Sequence, residues 1–230
     1  MRILFIRHGK PDYKTDTLLE IGKRQAEVVA ERVKGEGISK IFASTMGRAL
    51  ETAAPTAKLL GLNIIPCNFM REISWGSESG RELVFGGHPW LTLPEMIKKG
   101  ESVLYTDWQK REPFLHNDKL HASVKRVTEG ADEWLSSLGF ERDGEYYRVI
   151  CDDTDKTVAM FCHGGSSTVF LSHIMNIPFP RMCTIFRPYF TSVTAIELSG
   201  KVGELCSPKI KLLSDDRHVP RDDDTGLIEK

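Results

Sequence analysis

With 230 residues, 40% of them hydrophobic and 27% charged, the chain is long enough to bury a sizeable core in one domain, with or without an insert. Its 31 basic and 32 acidic residues leave a formal net charge of -1, so no global charge favours nucleic acid or an anionic membrane, and any steering falls to local groups. Strand-like sequence begins almost at Met1, and no apolar run reaches the roughly 18 residues a bilayer span requires, which leads to the expectation of a cytoplasmic protein without a leader or membrane anchor.

The first element is the apolar, β-branched run Ile3 to Ile6, which reads as a buried central strand ending at Arg7-His8-Gly9. A polar loop from Lys10 to Thr17 follows. Leu18 to Lys34 has Ala26, Val29, Ala30 and Val33 at helical spacing, stopped by Gly35 and Gly37. Ile38 to Ala43 is a second strand, and Ser44 or Thr45 is placed to cap a helix whose first turn carries Arg48. Asn63 to Cys67 reads as a third strand, and the loop beyond it runs Phe69-Met70-Arg71-Glu72-Ile73-Ser74-Trp75-Gly76.

From Ser77 to about Asp118 the strand and helix alternation breaks at Gly86-Gly87-His88-Pro89-Trp90, Pro94 and Pro113. The segment is too long for an ordinary loop and is read as an insert or lid of short helices over the sheet rim. Helical periodicity returns from Val124 to Leu138. Tyr146 to Cys151 reads as a strand, and a polar turn leads to Val158-Ala159-Met160-Phe161-Cys162, which ends at His163-Gly164-Gly165. A helix from Ser166 to Met175 follows. Ser192 to Leu198 and Val202 to Leu205 suggest a late hairpin through Ser199-Gly200, and Ser214 to Lys230 reads as mobile surface. The five cysteines include no CxxC pair and are odd in number, as befits reduced, buried thiols rather than a disulfide framework or zinc cluster.

Two strands thus end in histidine. If they are parallel neighbours, their C-terminal ends bring His8 and His163 to one rim, where open α/β sheets bind ligands. Arg7 and Arg48 add bidentate guanidinium donors, and helix starts near Arg48 and His163 offer backbone donors, an inventory suited to phosphate. Either histidine can act as nucleophile through a neutral ring nitrogen.

Arg7-His8-Gly9, the stretch Leu19 to Ala26, Ser44 to Ala53 with Arg48, Arg71-Glu72-Ile73 and His163-Gly164-Gly165 together resemble the histidine phosphatase superfamily, in its phosphoglycerate-mutase-like branch. The resemblance spans residues 1 to about 177, with Ser192-Val193-Thr194 similar to the family's late strand. It implies a three-layer α/β/α fold with a mostly parallel central sheet, carried by one catalytic domain over 1–230 with its insert at 77–118. It implies phosphorylation of His8, a phosphate clamp of Arg7, Arg48 and His163, and Glu72 as proton donor. No metal or cofactor is implied, since the arginines fill the electrostatic role.

The resemblance has departures. Where the family commonly continues Arg-His-Gly with Glu-Thr and a later asparagine, this chain has Lys10-Pro11-Asp12-Tyr13, so Lys10 or Tyr13 becomes a candidate for that phosphate contact. Ser74-Trp75-Gly76 replaces the mutase-like Tyr-Gly text. His88, Trp90, Lys98, Lys99, Tyr105 and Trp108 are the insert's candidates for the leaving-group pocket, with the tryptophans and Tyr105 weighed rather as the insert's own core. The reading is a metal-independent phosphomonoester hydrolase acting on a small molecule; a phosphoglycerate-type mutase and a non-enzymatic phosphate- or phosphoprotein-binding module are the alternatives. A metal site built from His8, His88, His163 and Glu72 lacks any dense ligand spacing. A homodimer is compatible with a mixed sheet edge, though nothing in the sequence selects one.

Overall fold

The computed structural model describes residues 1–153 and 155–219. Strand β1 (Arg2–Arg7) leads through a small hairpin, β2 (Pro11–Asp12) and β3 (Thr17–Leu18), to helix α1 (Glu20–Val33). Strand β4 (Ile38–Ser44), helix α2 (Gly47–Leu60) and strand β5 (Ile64–Cys67) follow. The segment expected as an insert holds helix α3 (Pro89–Lys98) and 3-10 turns at Val84–Gly87 and Trp108–Lys110. Helix α4 (Asp118–Ser137) then precedes strands β6 (Phe140–Asp143), β7 (Tyr146–Val149) and β8 (Thr157–Cys162). Helices α5 (Gly164–Ile174) and α6 (Phe179–Ile185) and strands β9 (Val193–Glu197), β10 (Leu205–Cys206) and β11 (Lys209–Asp215) complete the order.

The main sheet runs β11-β9-β1-β8-β4-β5. Strands β1, β8, β4 and β5 are parallel, while β9 lies antiparallel to β1, and β11 to β9. This is the mixed, mostly parallel α/β/α architecture expected. Alternation along β1 explains the two faces: Ile3 and Phe5 join the core formed with α4 and α5, whereas Leu4 and Ile6 join the one formed with α1 and α2. Both faces of β1 are therefore dry, and its apolar run is continuous because each side chain has a helix layer to pack against.

Several expected boundaries moved. Helix α4 begins at Asp118 rather than Val124, with a polar first turn that periodicity does not register. The Ser199-Gly200 hairpin does not form: β9 pairs with β11, and β10 joins β7 and β6 in a separate three-stranded sheet. Ser214 and Asp215 close β11, and Asp215 is buried, so the start of the stretch read as mobile surface belongs to the fold; residues 220–230 lie outside the described residues. No helix among the described residues is long and apolar enough to cross a membrane.

Candidate active site

The register of the sheet sets the site. Arg7 pairs with Cys162 across β1 and β8, so the next residue on each strand, His8 and His163, leaves the sheet at the same level. Their ring centroids lie 5.1 Å apart. The His8 amide still donates to the Cys162 carbonyl at 2.9 Å, which holds the histidine at the strand end.

His8 is buried. Its Nδ1 lies 2.7 Å from the Gly9 carbonyl oxygen, an acceptor, so Nδ1 carries the proton and Nε2 presents a lone pair. The Nε of Arg48 donates to that Nε2 at 3.3 Å. Burial first, and then the charge of Arg7, push the imidazole down to about 3, against the weaker opposing pull of the Gly9 carbonyl. The ring is therefore neutral at neutral pH. His163 is likewise depressed by burial and by neighbouring His8 and Arg48, and its Nε2 lies 2.7 Å from the Ser44 hydroxyl at the end of β4. That leaves His163 Nδ1 buried without a protein partner, as is the Nε of Arg7. Buried polar atoms are seldom left so, and each of the two can serve an acceptor such as a phosphoryl oxygen.

Each arginine is itself held. Arg7 donates to the Pro188 carbonyl at 2.8 Å and lies over the Phe190 ring, 4.1 Å from its centroid. Arg48 is buried and paired through Nη1 with Asp16 Oδ1, while Asp16 Oδ2 accepts from the Gly47 amide at 2.7 Å. Asp16 thus supplies the cap of α2 that Ser44 or Thr45 was expected to give. The short polar loop carried no periodicity to mark Asp16, and an aspartate just ahead of the Leu18 run was the available signal.

Glu72 sits at the N-terminus of α5. Its Oε1 accepts from the amides of Ser166 and Ile73, both at 2.9 Å, and its Oε2 from Gly165 at 3.2 Å. Gly165 permits this approach, because a Cβ there would lie 2.5 Å from Oε1. Arg126 of α4, which sequence reasoning missed, donates to the carbonyls of Arg71 at 2.8 Å and Glu72 at 3.2 Å and so fixes the loop backbone. The helix-start amides expected to face phosphate are thus largely taken by the protein: Gly47 by Asp16, and Gly165 and Ser166 by Glu72.

A cavity of about 790 Å³ opens beside these groups, with Arg7, Glu72 and Gly164 in its lining. His88 and Trp90 line it, as does Tyr13, whose ring lies 5.6 Å from the Arg48 guanidinium carbon. The backbone amide of Lys10 donates to Gln25, and Lys10 does not line the cavity. Trp108 is core instead, packed on Phe114 and Phe179, each at 5.3 Å. Tyr105 stacks with Arg111, Lys98 pairs with Glu95 at 2.7 Å, and Lys99 is exposed away from the cavity.

The sequence profile of the histidine phosphatase superfamily (branch 1) matches residues 3–209. The chain belongs to that superfamily. It is 32% identical, over 91% of its own length and 97% of the relative's, to a probable phosphoglycerate mutase GpmB of Yersinia pestis. A namesake from Photorhabdus laumondii is 31% identical over 45% of this chain, a match that spans only 56% of that relative. Among solved structures, the fold is similar to phosphoserine phosphatase from Entamoeba histolytica, with a TM-score of 0.62 at 21% identity, covering 94% of this chain and 98% of the other. It is also similar to the alpha-ribazole phosphatase of Shigella flexneri, with a TM-score of 0.60 at 16% identity, covering 94% and 96%. As a member of the histidine phosphatase superfamily, the chain is an enzyme.

Proposed function

We propose that this protein hydrolyses small-molecule phosphomonoesters through a phosphohistidine on His8. The observation that supports the reading is the orientation of His8: its Nδ1 proton is committed to the Gly9 carbonyl, and its lone pair lies on Nε2, where it accepts from the Arg48 Nε at 3.3 Å until phosphorus takes that place. In the first step that lone pair forms a bond to phosphorus, the bond to the ester oxygen breaks, and the protonated Glu72 carboxyl gives its proton to the departing alkoxide. In the second step water attacks phosphorus and Glu72 takes its proton. The phosphorus–nitrogen bond then breaks, returning the electron pair to Nε2 and releasing phosphate. Arg7, Arg48 and His163 hold the equatorial oxygens as their charge grows. No metal or cofactor enters either step. In this reading residues 1–230 form a single catalytic domain, and the 77–118 insert shapes the pocket for the leaving group.

The test is a phosphomonoester screen measuring released phosphate, run beside His8→Ala. It is combined with a search for an acid-labile phosphoryl adduct on the wild-type protein after rapid quench. The reading calls for His8-dependent phosphate release and an adduct that His8→Ala lacks; full turnover by His8→Ala sinks it. The names of the 32% identical relatives favour a second reading, transfer back to a sugar acid. Incubation with a phosphoglycerate separates the two, since a mutase yields the isomer and a hydrolase yields free phosphate.

A further inference from the structure

Beyond Arg7 and Glu72 the lining of the cavity is in large part apolar, with Tyr13, His88 and Thr184 as its uncharged polar members. Trp75, Trp90, Leu91, Pro94, Ile97 and Tyr189 form this apolar wall, over a floor that includes the buried Leu93 and Cys183. Apart from Arg7 and Glu72, which belong to the phosphoryl site, Arg187 is the charged side chain on this wall. Arg187 is exposed, so water satisfies it without a ligand.

The wall is braced by ring contacts within it. His88 stands between Trp75, with centroids 4.2 Å apart, and Trp90, at 5.9 Å, while Trp90 meets the buried Phe179 edge-on at 6.4 Å. These rings hold their places by contact with each other, so the surface they present is preorganised. Yet Leu91 is 53% exposed, Ile97 52% and Tyr189 51%, which is a large apolar area left in water on one concave surface.

A cavity of about 790 Å³ is of the size that encloses a drug-sized ligand, and a three-carbon acid such as glycerate would leave most of this wall wet. Covering it is favourable for an apolar guest and does nothing for a small polar one. Taking the proposed hydrolysis at His8 as its basis, we propose that the substrate is a phosphomonoester of a bulky apolar alcohol, with an aryl or extended alkyl body lying against α3 and the Trp75 and Trp90 rings. This assigns α3 the selection of the leaving group.

Ethyl, butyl, hexyl and octyl phosphate test the assignment, because their leaving groups match in basicity and differ only in apolar length. A buried methylene is worth about fourfold in affinity, so kcat/KM is expected to rise by about a hundredfold or more from ethyl to hexyl phosphate. A flat series, or a preference for phosphoglycerate over octyl phosphate, overturns the proposal. The matching alkylphosphonates, titrated by tryptophan emission, read the same pocket without turnover. Their affinities are expected to climb with length, and equal affinities overturn the proposal even if hydrolysis is found. Absence of any hydrolysis, or hydrolysis that survives His8→Ala, instead strikes the phosphohistidine reading and leaves the phosphonate titration to decide the pocket. At the half-exposed positions Leu91→Glu and Ile97→Glu are expected to cut the hexyl-to-ethyl ratio about tenfold, and an unchanged ratio in both variants counts against the proposed wall.

Discussion

Asp16 holds Arg48 in two ways at once: one carboxylate oxygen accepts a hydrogen bond from Arg48 Nη1, and the other accepts from the amide of Gly47, the first residue of the helix that carries Arg48. The arginine beside His8 therefore inherits its position from a residue in the β2–β3 loop. Asp16→Asn retains an oxygen that can accept from the helix start but loses the charge facing the guanidinium. We predict a fall in kcat/KM of about tenfold with a stability change within about 1 kcal/mol, since the carboxylate is 38% exposed and its ion pair is screened. Unaltered kcat/KM in a folded variant would show that Arg48 keeps its place without Asp16.

Gly165→Ala probes Glu72 without touching it. The new methyl would lie 2.5 Å from both Glu72 Oε1 and Ile73 Cγ1, so the carboxyl must move off the start of α5. The expected cost is about 1 to 3 kcal/mol of stability and a larger loss of turnover for alkyl phosphates than for p-nitrophenyl phosphate, whose phenolate leaves without a proton. Equal losses for the two esters would mean that the displaced group is not the acid.

How much of this was legible in the sequence follows from what kind of signal each residue sends. His8 and His163 end continuous apolar runs, and such runs belong in the middle of a parallel sheet, so their meeting at one rim was readable before any coordinates. The Glu72 loop could be located, but its cradle depends on how the start of α5 approaches the loop, a tertiary relation with no local period. Arg126 acts through backbone carbonyls of a distant loop, and Asp16 through a backbone amide and a guanidinium about thirty residues on, relations that a local side-chain pattern does not report. The hairpin at Ser199-Gly200 failed because a turn signal does not say which strands it joins: β9 found its partner in β11, whose side chains are mostly exposed or half-buried.

The low basicity of His8 has a consequence for acid stability. Its folded-state value of about 3 lies below the ordinary 6.5, so the unfolded chain binds a proton that the folded chain refuses. Stability at this residue is intact above pH 6.5 and is lost progressively as pH falls from there toward 3. Replacing His8 by Phe, which has no proton to bind, is expected to flatten that part of the stability–pH curve in denaturant titrations. A parallel loss in both proteins would place the acid sensitivity elsewhere.

Asp132 of α4 is the better-paired acid-sensitive group away from the site. Its carboxylate accepts from Arg142 Nε at 3.0 Å, the Tyr147 hydroxyl at 2.9 Å and His173 Nε2 at 2.9 Å, joining α4 to β6, β7 and α5. Burial raises its affinity for protons, but the hydrogen bonds from His173 and Arg142 outweigh that and leave the carboxyl below its usual 3.8. Its contribution is thus present above about pH 4 and lost as pH falls below it. Asp132→Ala is predicted to cost about 1 to 3 kcal/mol at neutral pH, a gap that closes on acidification. A gap that holds steady below pH 3 would deny the carboxylate its part.

The last prediction separates the two proton transfers assigned to Glu72. Glu72→Gln keeps the size of the side chain and one carbonyl oxygen for the amides of α5, so the fold and much of the anion site should persist. It can neither give a proton to an alkoxide nor take one from water. With an alkyl phosphate the first step fails, and little product of any kind is expected. With p-nitrophenyl phosphate the first step needs no acid, so His8 should be phosphorylated and nitrophenolate released once per site. The phosphohistidine then waits for a water that no base activates. Stopped-flow traces are therefore expected to show a burst of about one equivalent followed by slow turnover, with the phosphoryl adduct recoverable from the quenched protein. Near wild-type steady rates on both esters would remove Glu72 from the mechanism and direct attention to Glu78 and Glu82, the next carboxylates along the same loop.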